Sequence, residues 1–92
     1  MALYLHVVRT TNGLVFALSQ TVTDIDTVLN MSIFPQAVRP LITDKFTITT
    51  VEGEEFDLPE TPEKCKIINS ELFVGENPQF KLNLEGMNIL TF

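Results

Sequence analysis

Two apolar runs meet around Asn12-Gly13, and that arrangement limits what the whole chain can fold into. Leu3, Tyr4, Leu5, His6, Val7 and Val8 precede the dipeptide, and Leu14, Val15, Phe16, Ala17 and Leu18 follow it. A type I′ turn needs positive φ at both central residues, and Asn followed by Gly tolerates that best. With Asn12 and Gly13 at the centre, Thr11 faces Leu14, Arg9 faces Phe16, Val7 faces Leu18 and Leu5 faces Gln20. Side chains alternate across the ribbon, so Leu3, Leu5, Val7, Leu14, Phe16 and Leu18 share one face, a core face. Tyr4, His6, Val8, Thr10, Val15, Ala17 and Ser19 share the other, which reads as mixed. A lone hairpin is marginal in water, so the rest of the chain must cover this one.

The remaining sequence has the means to do so. Its 92 residues predict one domain spanning 1–92, with a single core that needs no staples. The apolar share of 45% is that of a folded chain, and no apolar run approaches the ~18 residues of a membrane span. The opening residues lack a basic n-region and a small-residue cleavage site, which predicts cytoplasmic synthesis without a signal peptide. Cys65 is the single cysteine, which excludes an internal disulfide and leaves nothing for a cysteine-rich metal site.

Charge is unevenly placed. Glu52, Glu54, Glu55, Asp57, Glu60 and Glu63 fall within residues 52–63, which contain no Lys or Arg. Outside that segment the acids balance Arg9, Arg39, Lys45, Lys64, Lys66 and Lys81, so one stretch carries the net charge of −6. Direct binding to nucleic acid is disfavoured, because neutralising phosphates needs clustered Lys and Arg.

Beyond the hairpin, Ile25, Val28, Leu29 and Ile33 recur at helical spacing, with Thr23 or Asp24 as N-cap and a stop before Pro35. Residues 35–42 hold two prolines and read as an extended connector laid on the core. Residues 46–50 alternate and are β-branched, which predicts a strand. A loop of Val51, Glu52 and Gly53 then returns the chain as a bulged hairpin, pairing Ile48 with Phe56 and Phe46 with Leu58. Thr61-Pro62-Glu63 resembles a helix start, with Cys65, Ile68 and Leu72 following at helical spacing and Gly75 as the stop. A strand through residues 66–74 competes with it, since Ile68, Leu72 and Val74 also share a face; the helix is preferred. Asn77-Pro78 predicts a turn, Phe80, Leu82 and Leu84 a strand, and Glu85-Gly86 a reversal into a last strand over 87–92. The expected class is α+β: an antiparallel sheet of three hairpins under one or two short helices, in the order ββ-α-ββ-α-ββ.

Chemistry is sparse in this pattern. His6 has no cysteine or second histidine to share a metal, and the ordinary reading is a partly exposed strand residue. Cys65 lies between Lys64 and Lys66, yet its spacing with Ile68 and Leu72 marks it as a buried small hydrophobe rather than a nucleophile. The acidic segment does not have the EF-hand spacing, although Glu55 and Asp57 share a strand face. It reads as a solvated face or as a docking surface for a basic partner. The glycines are spaced as turn formers and fit no phosphate-binding fingerprint, and Ser19 and Ser70 sit in no nucleophile elbow. The sequence therefore names no catalytic residue, metal or cofactor.

The functional expectation is a non-enzymatic assembly subunit that works through protein partners, as a homo-oligomer or within something larger. A viral capsid decoration, cement or tail-connector protein is the setting expected, with the virion as destination. An acidic inhibitor or adaptor for a basic protein surface is the alternative, and a minimal enzyme ranks last. The residues expected to meet a partner are Glu52, Glu54, Glu55, Asp57 and Glu60 on the acidic stretch. Leu90 and Phe92 on the final strand join them, because an apolar terminal strand invites pairing.

Overall fold

The computed structural model describes residues 2–58 and 61–90. Its first hairpin joins β1 (Ala2–Thr10) to β2 (Gly13–Ser19). The register pairs Thr10 with Gly13, Arg9 with Leu14, Val7 with Phe16 and Leu5 with Leu18. The loop is therefore Thr11-Asn12, one residue earlier than expected, and positive φ falls on Gly13 alone of these residues, at 135°. Thr10 supports this loop: its hydroxyl donates to the Gly13 carbonyl (2.9 Å) and accepts from the Asn12 N–H (3.1 Å). A slide of the pairing by two residues leaves every side chain on its predicted face. Leu3, Leu5, Val7, Leu14, Phe16 and Leu18 are accordingly all buried. Gly13→Val, which forces a β-branched residue into that conformation, should cost about 1–2 kcal/mol. Thr43→Ser on an exposed stretch should be nearly silent; urea unfolding midpoints compare the two.

β3 (Ile42–Val51) lies on the other side of β1, and β8 (Asn88–Leu90) on the other side of β2, completing a sheet of order β3-β1-β2-β8. A second sheet has the order β4-β5-β6-β7, from β4 (Phe56–Asp57), β5 (Lys64–Ile68), β6 (Glu71–Val74) and β7 (Asn77–Lys81). The two share one core. Leu5, Val7, Phe16 and Leu18 of the first sheet cluster with Leu58, Cys65, Ile67, Leu72 and Leu82. Period-two burial puts Cys65 and Ile67 inward on β5, while Lys64 faces water.

Much of the chain is thus antiparallel β in two sheets with little helix, which agrees with the α+β expectation only at that coarse level. The order ββ-α-ββ-α-ββ is not confirmed. Residues 46–50 do form a strand, but β3 pairs with β1, setting Ile48 against Leu5 and Phe46 against Val7. Gly53 takes the left-handed conformation expected of it (φ 83°), and its N–H reaches the Ile67 carbonyl (2.9 Å). The turn therefore carries the chain into the second sheet instead of back along β3. Nine residues of β1 find partners this way, far more than the short predicted hairpin offers.

The helix expected after Thr61 is also replaced. β5 and β6 form a hairpin in which Cys65 pairs with Val74 and Ile67 with Leu72. Asn69 (φ 52°) and Ser70 (φ 63°) supply the two positive-φ residues of a type I′ turn. Asn77-Pro78 is not a turn: Gly75 (φ 65°) and Glu76 reverse the chain, and Pro78 lies on β7, an edge strand where a missing N–H is tolerated. The reversal near Glu85-Gly86 is present, with Gly86 N–H bonded to the Asn83 carbonyl (3.1 Å). It leads β8 to β2, with no pairing to β7.

The opposite face of the first sheet is drier than its sequence suggests. Val8, Val15 and Ala17 are covered by Val28, Leu29 and Phe34 of the segment after β2. Its helix α1 (Ile25–Leu29) is capped by Asp24, whose carboxylate accepts from the Asp26 N–H (3.2 Å). The helix ends at Asn30, short of the expected Pro35, and leaves Ile33 exposed. Thr, Val and Ile are weak helix formers, and the early end lets the chain turn Phe34 onto the sheet. Residues 36–41 form a 3₁₀ helix (Gln36–Leu41), where an extended connector was expected.

Candidate functional site

Three places bring polar or reactive groups together. The first lies under the α1 segment, where His6, Ser19, Val22, Met31, Glu85 and Met87 line a small recess. His6 is fully buried, contrary to the partly exposed position expected of it. Its Nε2 lies 2.8 Å from the Val22 carbonyl and its Nδ1 lies 2.9 Å from the Thr47 hydroxyl. A carbonyl only accepts, so Nε2 carries a proton, and in the neutral ring Nδ1 accepts from the Thr47 hydroxyl. Burial pushes the His6 pKa down, although the Val22 bond and the Asp24 charge oppose it. Ser19 donates to Glu85 (3.2 Å) and accepts the N–H groups of Thr21 (3.1 Å) and Val22 (2.8 Å). Ser, His and Glu therefore share one recess without forming a relay. Both imidazole nitrogens are committed elsewhere, and the Ser19 hydroxyl turns to a carboxylate rather than to a base. The recess has room for little more than a water molecule. These bonds pin the α1 segment onto the sheet.

The second place is the acidic corner between the sheets. Glu52, Glu54 and Glu55 are exposed on the turn after β3, and none forms an ion pair with a described residue. Asp57 is exposed on β4 and bonded to Lys64 (2.7 Å), which raises the lysine pKa. Glu60 lies outside the described residues. Cys65 is buried in the inter-sheet core, and that burial raises its thiol pKa. This is the reverse of what a nucleophile needs. Among the described residues no group of three His, Cys, Asp or Glu is placed to hold a metal. Among the described residues no helix is long and apolar enough to cross a membrane.

The third place is the set of sheet edges. Leu90, expected to face a partner, is half-buried against the inter-sheet core and paired with Leu14, while Phe92 lies outside the described residues. β8 has three described residues, β4 has two, and β7 carries Pro78 beside a register shift between Leu72 and Phe73 on β6. Shortness, proline and irregularity all discourage further pairing. β3 has none of these defences over most of its ten residues, apart from an irregularity near Thr10 on β1. Its outer side pairs with no strand among the described residues. This edge was not singled out from sequence, because residues 46–50 looked half of a hairpin whose partner would have covered it.

In comparisons with known proteins, no family model matches the chain, and neither any curated protein nor any solved structure does.

Proposed function

We propose that the chain is a non-enzymatic structural subunit that acts through protein–protein contacts within a larger assembly. A viral capsid decoration, cement or tail-connector role suits it best, as a small module that works by contact. The long open edge of β3, interrupted by the charged pair Asp44-Lys45, carries this reading, since an open strand edge is a template for another strand. Sedimentation of native extracts tests it. The protein should travel with a high-mass species that persists in ~1 M salt, where charge attraction is screened to a few ångströms. The reading fails if the protein always sediments as a free chain.

The exposed carboxylates of Glu52, Glu54 and Glu55 favour the second reading, an acidic inhibitor or adaptor. In that case the complex dissolves in salt, and changing all three to Gln slows association and removes its salt dependence. If they are only a solvated surface, the triple change leaves stability and association nearly unchanged.

A further inference from the structure

We infer that β3 pairs antiparallel with β3 of a second copy across a two-fold axis at Thr47, joining two four-stranded sheets into one of eight. This rests on the assembly reading and names its first partner. Alternate residues of an antiparallel strand send their backbone groups to opposite sides. Thr10 and Gly13 close the first loop, so Tyr4, His6, Val8 and Thr10 bond towards β2, and Leu3, Leu5, Val7 and Arg9 towards β3. The Arg9 carbonyl indeed accepts from the Thr43 hydroxyl (3.3 Å). Their β3 partners Asp44, Phe46, Ile48 and Thr50 point back at β1, which leaves Lys45, Thr47 and Thr49 facing the open side. Consistent with this, the Lys45 N–H is taken up by the Asp44 carboxylate (2.8 Å) and not by the ladder.

Self-pairing about Thr47 fits the side chains on both faces. It sets Phe46 beside Ile48 of the second copy, twice by symmetry. Both are only half-buried at the rim of the inter-sheet core, so each copy extends the other's apolar cover. On the opposite face Thr47 meets Thr47, and Lys45 meets Thr49, so no like charges are opposed. The flanks are complementary as well. Arg39 lies before the start of β3, Lys45 is its fourth residue and is ion-paired with Asp26 (2.8 Å), and Glu52, Glu54 and Glu55 lie just past its end. Antiparallel pairing brings the start of one strand to the end of the other, so Arg39 of each copy lies towards the acidic turn of its partner; parallel pairing would set acidic turn beside acidic turn. A closed two-fold contact also uses up the edge, leaving no open template for fibres.

Thr49 gives the test, being exposed and on the open side. Sedimentation equilibrium of the purified full chain should show a reversible dimer. Thr49→Lys opposes Lys45 of the second copy at two symmetric positions and should raise the dimer dissociation constant about tenfold. Thr49→Glu should tighten it at low salt, and Thr49→Pro, which removes a bonding N–H, should leave only monomer. Far-ultraviolet circular dichroism and unfolding midpoints check that each variant folds. A dimer whose constant ignores all three folded changes overturns the inference, as does a wild-type chain that stays monomeric at ~1 mM. If that monomer still joins a high-mass particle in extracts and Thr49→Pro abolishes the joining, the strand partner is a different protein. That outcome overturns self-pairing and leaves the assembly reading standing.

Discussion

Phe16→Ala is expected to remove about 3–5 kcal/mol of stability, a large share of what a small domain has. Phe16 is fully buried on β2, and its ring meets Phe80 of the second sheet at 6.0 Å between centroids and a tilt of 49°. Deleting it loses the transfer of the ring from water and opens a cavity where the two sheets meet. Tm should fall by on the order of 15 °C or more. Phe73→Ala is the control. Phe73 lies on β6 next to inward-facing Leu72, so it points to the outer side, half-buried with the Lys66 ammonium 6.0 Å from its ring. Its loss should be about 1 kcal/mol or less. Thermal unfolding of the two variants measures the difference, and equal losses would contradict a core shared between the sheets.

That contrast also shows how sequence patterning does and does not determine this fold. The face carrying Leu5, Val7, Phe16 and Leu18 was readable because alternation with period two survives a slide of the strands by two. Local capping was readable at Asp24, and positive φ at Gly53, because each depends on one or two neighbouring residues, whereas Gly75, expected to stop a helix, turns β6 into β7. Pairing across the chain was not. The choice of β1 over Phe56 as partner for β3 is made by how many residues of β1 would otherwise stay unpaired, a property of the whole sheet. The Asn69-Ser70 turn shows a second kind of loss. Both residues take positive φ without a glycine to mark them, so a strand hairpin with Cys65 and Ile67 inward could pass for a helix. The edge of β3 became visible only once its true partner was known.

His6 is the other residue whose replacement should be felt strongly, and its effect carries a signature in pH. His6→Leu leaves the Val22 carbonyl and the Thr47 hydroxyl without the imidazole, and so should cost about 2–4 kcal/mol at neutral pH. In the native chain burial holds the His6 pKa below its ordinary 6.5. As pH falls below that value the unfolded chain takes up a proton before the folded one does, and folding loses stability. The contribution of neutral His6 is thus complete above about 6.5, declines as pH falls towards the lower folded value, and changes no further below it. His6→Leu has no such group, while its carboxylates titrate as in the parent chain. The stability gap between the two proteins should therefore narrow from pH 7.5 to 5, as read from urea midpoints at half-unit steps. The direction decides between two states of the imidazole. A gap that widened on acidification would mean that the folded chain prefers the charged ring. Nε2–H would still donate to Val22, but Nδ1–H would also donate to the Thr47 oxygen, and the neutral bonding pattern that seats the α1 segment would be wrong. A narrowing gap fits a ring that accepts at Nδ1 and donates at Nε2, which satisfies both partners without placing a charge beneath Val28 and Met31.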